Sequence, residues 1–135
     1  MREKRLSIGL RAALAIFTVT LFVTSTWAAT HEKVLYPFNP EVTDGANPRA
    51  GLIFDAARNL YGTTLGGGTY GWGTVFRVNA DGGREQVLHS FGNGTDGANP
   101  YAGLIFDAVG NLYGTTYGGG TYNYGAVFEI TRSGL

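Results

Sequence analysis

Residues 44–80 return as residues 96–132, and the two stretches agree at 26 of 37 aligned positions. Asp44-Gly-Ala-Asn-Pro48, Gly51-Leu-Ile-Phe-Asp55 and Asn59-Leu-Tyr-Gly-Thr-Thr64 reappear unchanged 52 residues later, between Asp96 and Thr116. Repetition at this period makes the repeat the folding unit, because each copy buries its apolar face by stacking on a neighbour. Whatever shape one copy takes, the other takes too.

That shape is built from strands. Every apolar run after residue 30 is short and bounded by glycine, asparagine, aspartate or proline, so none has the length of an amphipathic helix. Runs rich in β-branched and aromatic residues predict strands at 34–38, 51–55, 59–64 and 74–79, and again at 87–91, 103–107, 111–116 and 126–131. The segments 55–59 and 107–111 read as tight hairpin loops, and Ala80-Asp-Gly-Gly83 supplies residues that tolerate positive φ. Asp44-Gly-Ala-Asn-Pro48 and its copy read as turns held by the aspartate side chain.

The expectation is therefore an all-β protein of two tandem four-stranded antiparallel repeats, 31–83 and 84–135. Four strands in about 50 residues is the size of one β-propeller blade. A sandwich has no need of two near-identical halves, and a solenoid advances by about 20–30 residues per coil. Propellers close with about four to eight blades, so two copies make an incomplete one. Either the sequence is a piece of a longer array, the reading favoured by its stop after Gly134-Leu135, or several chains join head to tail into a ring.

Ahead of the repeats stand the basic cluster Met1-Arg-Glu-Lys-Arg5, the apolar run Ala12–Val23 and a small-residue stretch ending at Ala28. This order predicts a signal peptide over 1–28, with an apolar core shorter than the roughly 20 residues of a membrane-spanning helix. Export to the periplasm, cell surface or surroundings follows, with no membrane span in the mature chain. Without residues 1–28 the chain carries six basic and nine acidic side chains, a balance of −3. That sign opposes phosphate backbones and argues against nucleic acid as a partner. No cysteine is present, so neither disulfides nor thiolate metal sites hold the fold.

Asn59-Leu-Tyr-Gly-Thr-Thr64, Gly66-Gly-Gly68, Gly73-Thr-Val-Phe76, Val87-Leu-His-Ser-Phe91 and Asp96-Gly-Ala-Asn-Pro100 together resemble the GloVer tandem repeat, a family of exported bacterial proteins with a Gly-Thr-Val-Phe signature. The resemblance covers essentially the whole chain after the leader. It implies many repeats, varied C-terminal surface anchors and no established activity. Two features depart from the family: the second signature is Gly125-Ala-Val-Phe128, and no anchor follows it. The Asp-x-x-Gly-Asn form of 107–111 is also similar to turns of NHL-type propeller repeats.

Recurrent residues make poor catalysts, since a reaction needs its groups once and a blade needs its turns every time. Asp44 and Asp96 could ligate calcium, but a turn role suits their context better, because calcium sites gather several acidic ligands. Asp55 and Asp107 read as hairpin residues. The Gly-x-Gly-x-x-Gly pattern at 66–71 precedes a strand rather than a helix and loses its last glycine to Asn123 in the second copy. His31 and His89 sit at non-equivalent positions without triad partners, and Asn93-Gly-Thr95 is a sequon with a turn role. No catalytic residue, cofactor or metal is predicted.

Specificity is sought instead where the copies differ. Arg49 becomes Tyr101, Leu65 becomes Tyr117, Gly71 becomes Asn123, Trp72 becomes Tyr124 and Arg77 becomes Glu129. Tyr70, Trp72, Tyr117, Tyr122 and Tyr124 are the candidate contacts for a glycan or a protein, against the plainer reading that they fold over blade edges as packing. Three functions stay in view: a non-enzymatic envelope scaffold first, a carbohydrate-binding module second, and part of a propeller hydrolase or lyase third.

Overall fold

The long hairpin at the centre of the first repeat joins β3 (Asn59–Gly67) to β4 (Thr74–Asn79), paired from Asn59↔Asn79 to Thr64↔Thr74. In this computed structural model residues 30–134 are described, apart from Pro40 and Val42. The expected signal peptide lies outside the described residues. Along the free edge of β3 run two short strands, β1 (Gly45–Pro48) against its C-terminal half and β2 (Ile53–Phe54) against its start. Strand β5 (Glu85–Ser90) pairs with the far edge of β4 and completes a five-stranded antiparallel sheet. The second sheet has three strands, β6 (Ile105–Phe106), β7 (Leu112–Thr115) and β8 (Val127–Ile130). A three-residue 3-10 turn, Arg132–Gly134, is the only helical element among the described residues, so the protein is all-β there.

The strands are distributed five and three, not four and four, for three reasons. Val34–Phe38, expected to be a strand, forms none, and the strand expected to open the second copy at 87–91 pairs with β4 of the first sheet. Asp44–Pro48, expected to be a turn, contributes strand β1. Asn47 there has φ 58°, and the register runs unchanged from Ala46↔Gly66 to Pro48↔Thr64 on either side of it.

Equivalent residues make equivalent contacts. Gly62 faces Phe76 across the β3–β4 pair, where an added Cβ would lie 2.7 Å from the Phe76 ring; Gly114 faces Phe128 in the same way. Only glycine leaves the ring room to lie over the strand. The hairpins are tied by Asp55, which accepts from the Asn59 amide at 2.8 Å and the Asn59 side chain at 2.7 Å, and by Asp107, which holds Asn111 at 2.8 Å through both.

Both sheets belong to one compact unit, Glu32–Leu135. Their shared core is Tyr61, Val75, Phe91, Leu104 and Leu112, all buried. Phe91 is the clasp. It follows β5, its amide donates to the Gly73 carbonyl at 2.9 Å, and its ring meets the Phe128 ring of the second sheet at 4.9 Å. Across the same junction Tyr61 packs edge-on to Phe106 at 5.1 Å, and the Thr63 hydroxyl donates to the Ala102 carbonyl at 3.1 Å.

Candidate functional site

The glycine-rich loops at one end of the sheets display the aromatics that differ between copies. In the first loop Thr64 Oγ1 donates to the Gly66 carbonyl at 2.9 Å and accepts from the Thr74 amide at 3.1 Å. Thr116 repeats this with Gly118 and Ala126 at 3.0 and 2.9 Å. Closing bonds Gly73 N to Gly67 O and Gly125 N to Gly119 O are each 3.0 Å. With the backbone satisfied from within, the side chains at the loop tips point outward.

Trp72, Tyr117 and Tyr124 come together. They line an open groove of about 940 Å³ bordered by Asn99 and Asn123, with exposures of 52, 81 and 92 %. Trp72 is half packed, since a Cβ on Gly92 would collide with its ring. Tyr70 lies elsewhere, in a shallow depression with His89, Ser90 and Asp96, and Tyr122 is exposed outside both. Trp72 is therefore packed in part, whereas the rings of Tyr117, Tyr122 and Tyr124 are exposed.

Asn99 is the residue that sequence reasoning passed over. Its amide donates to the Trp72 carbonyl at 2.7 Å, its carbonyl accepts from the Tyr117 amide at 3.0 Å, and its side-chain amide donates to the Leu65 carbonyl at 2.8 Å. It ties together the two loops that carry the groove. The signal lay in Asp-Gly-Ala-Asn-Pro: an asparagine kept in both copies and held at φ 58° and 56°, where few side chains other than asparagine are at ease.

The acidic residues serve structure. Burial pushes the Asp55 carboxyl up, but hydrogen bonds from Asn59 and Tyr61 outweigh it and hold the group below the usual carboxylate range. Asp107 behaves alike, with Asn111 and Val109 supplying the bonds. These hairpins border a second depression of about 530 Å³ with Arg77 and Arg132. Asp44 receives the Tyr36 hydroxyl and the Asn39 amide, as Asp96 meets His89 at 2.9 Å and the Gly92 amide at 3.2 Å. The bond to Asp44 pushes the Tyr36 phenol up to about 12. Burial, with Asp44 nearby, pushes the Glu85 carboxyl up to about 7. Among the described residues no three His, Cys, Asp or Glu side chains converge as a metal site.

The residues of both sheets, with their turns and glycine loops, match a family model over 15–135. The chain belongs to the Gloeobacter/Verrucomicrobia repeat family. No curated protein and no solved structure matches it. In this Gloeobacter/Verrucomicrobia repeat protein, the groove aromatics are among the positions at which one copy departs from the other.

Proposed function

We propose that this chain is a non-enzymatic, exported repeat module that acts as a structural or interaction scaffold at the bacterial envelope, its two sheets serving as successive blades of a β-propeller. The observation that carries the binding part is the groove of Trp72, Tyr117 and Tyr124, three exposed rings at non-identical positions of the repeat. Recurrent polar residues such as Asp55, Asp107, Thr64 and Thr116 spend their hydrogen bonds on turns and loops. That spending supports a scaffold over a reaction centre. Export rests on the charged, apolar, small-residue order of residues 1–28. N-terminal sequencing of the exported chain should begin at Ala29, and an intact Met1 would refute export by this route.

A second reading, carbohydrate binding, draws on the same groove. Flat rings with polar tips, bordered by asparagine amides, suit the alternating apolar and hydroxyl faces of a sugar. Glycan arrays and envelope pull-downs with Trp72→Ala and Tyr124→Ala separate the readings. Each stacking ring is worth about 1 kcal/mol, so each loss should weaken groove binding roughly fivefold to tenfold. Sugar binding that falls in this way supports the second reading; protein capture that falls, with glycans silent, supports the first. Capture unchanged in both variants would remove the groove from either.

A further inference from the structure

The junction between the two sheets has an unfilled counterpart at each end of the repeat pair. On the first sheet Tyr61, Thr63 and Val75 are 3, 2 and 0 % exposed because the second sheet covers them. Their equivalents on the second sheet are open: Tyr113 is half-buried, Thr115 is exposed and Val127 is 80 % exposed. The covering side shows the mirror case. Leu104 is 3 % exposed against the first sheet, whereas its equivalent Leu52 is 50 % exposed, and Phe54 is 60 % exposed where Phe106 packs on Tyr61.

Strand pairing shows the same vacancy. In Glu85-Gln-Val-Leu-His-Ser-Phe91, strand β5 pairs with β4 of the sheet before it, while Phe91 packs on Phe128 of the sheet after it. Glu32-Lys-Val-Leu-Tyr-Pro-Phe38 is the same motif: Phe38 packs on Phe76 at 5.0 Å, and Tyr36 meets Asp44 as His89 meets Asp96. Yet residues 32–37 lie in no strand, and no described strand lies along the outer edge of β8.

We propose that the β8 edge and the open face of the second sheet receive residues Glu32–Phe38 and the Leu52–Phe54 face of a second copy of this chain. The internal junction gives the register. Arg77↔Gln86 and Phe76↔Val87 become Glu129↔Lys33 and Phe128↔Val34. The polar pair Arg77–Gln86, bonded at 2.6 Å, is thereby replaced by opposite charges at the same cross-strand position. Pro37 takes the place of Ser90. Phe91 N donates to Gly73 O beside the Thr74↔Ser90 pair, so the alternation of an antiparallel ladder turns the Ser90 amide away from β4, and proline there loses no ladder bond, only the acceptor that the Ser90 hydroxyl gives the Thr69 amide at 3.2 Å. Thr115 finds the Ala50 carbonyl of the second copy as Thr63 finds Ala102. The contact is head-to-tail, so it propagates until it closes as a ring or continues as a rod.

This inference rests on the reading of the two sheets as successive blades, and its test separates the two. The full chain is purified in cysteine-free form and as two single-cysteine variants, Lys33→Cys and Glu129→Cys. Mixed and oxidised, these should form a disulfide-linked pair, as cross-strand neighbours do. A mixture of Lys33→Cys and Tyr122→Cys should not. In light scattering, Glu129→Lys or Lys33→Glu alone should weaken self-association about tenfold, and the double reversal should restore it to within about threefold. A monomer at all concentrations, or cross-linking equal to the control, overturns the proposal. Specific cross-linking within an extended rod supports strand pairing and removes only the ring.

Discussion

Arg58 and Gly110 occupy the same hairpin position and the same left-handed region, with φ of 65° and 95°. Gly71 and Asn123 share another, at 82° and 61°. Glycine and asparagine at these turns were legible in the sequence as residues that tolerate positive φ; the arginine was not, because its conformation is imposed by the Asp55–Asn59 hairpin bonds around it. Glu85 was equally hidden, since a charged residue in an exposed-looking strand gives no sign of being 8 % exposed beside Asp44. Its folded pKa of about 7 lies above its ordinary value of 4.5. The folded protein therefore keeps a proton that the unfolded chain has lost between those values, and stability is greatest on the acid side of that window and falls as pH rises through it. Urea titrations from pH 4.5 to 8 should show Glu85→Gln gaining about 1–3 kcal/mol over the parent at the upper end and little at the lower. Equal stability differences at both ends would contradict the assignment.

At the level of elements, the β3–β4 and β7–β8 hairpins lie where their β-branched and aromatic runs predict them, because local pattern and cross-strand pairing agree. Strand β5 departs from expectation for another reason. A period of 52 residues reveals what one unit contains but not where along the cycle the sheet is cut, and β5 joins the sheet that precedes it. The two long strands also differ in cover: β4 is paired along both edges, whereas among the described residues β8 is paired only with β7. Hydrogen exchange on dilute protein should find the outward amides of Val127–Ile130 exchanging on the order of 100-fold faster than those of Thr74–Asn79. At high concentration the difference should shrink if a second copy covers β8. Uniform protection of both strands in the dilute sample would show that the edge is already occupied.

For the whole molecule, stability and assembly are linked by mass action. An assembly that buries Val127, Leu52 and Phe54 makes the thermal midpoint rise with protein concentration, whereas a self-sufficient monomer holds it constant. Differential scanning over a hundredfold range of concentration should show a rise of several degrees, reduced in Glu129→Lys. At this scale the site was half legible. Trp72, Tyr117 and Tyr124 were recognisable by subtracting one copy from the other, whereas Tyr70 and Tyr122 recur unchanged, and only folding brings the first three together and sends the other two elsewhere. Periodicity, turn chemistry and strand propensity are local properties written in the chain, and they are enough to specify a repeated all-β unit with glycine-built turns. Which sheet owns each strand, which acid is buried, which rings share a groove and which faces stay open were decided by the tertiary structure. Each depends on a partner far along the chain or, at the two open faces, on one outside it.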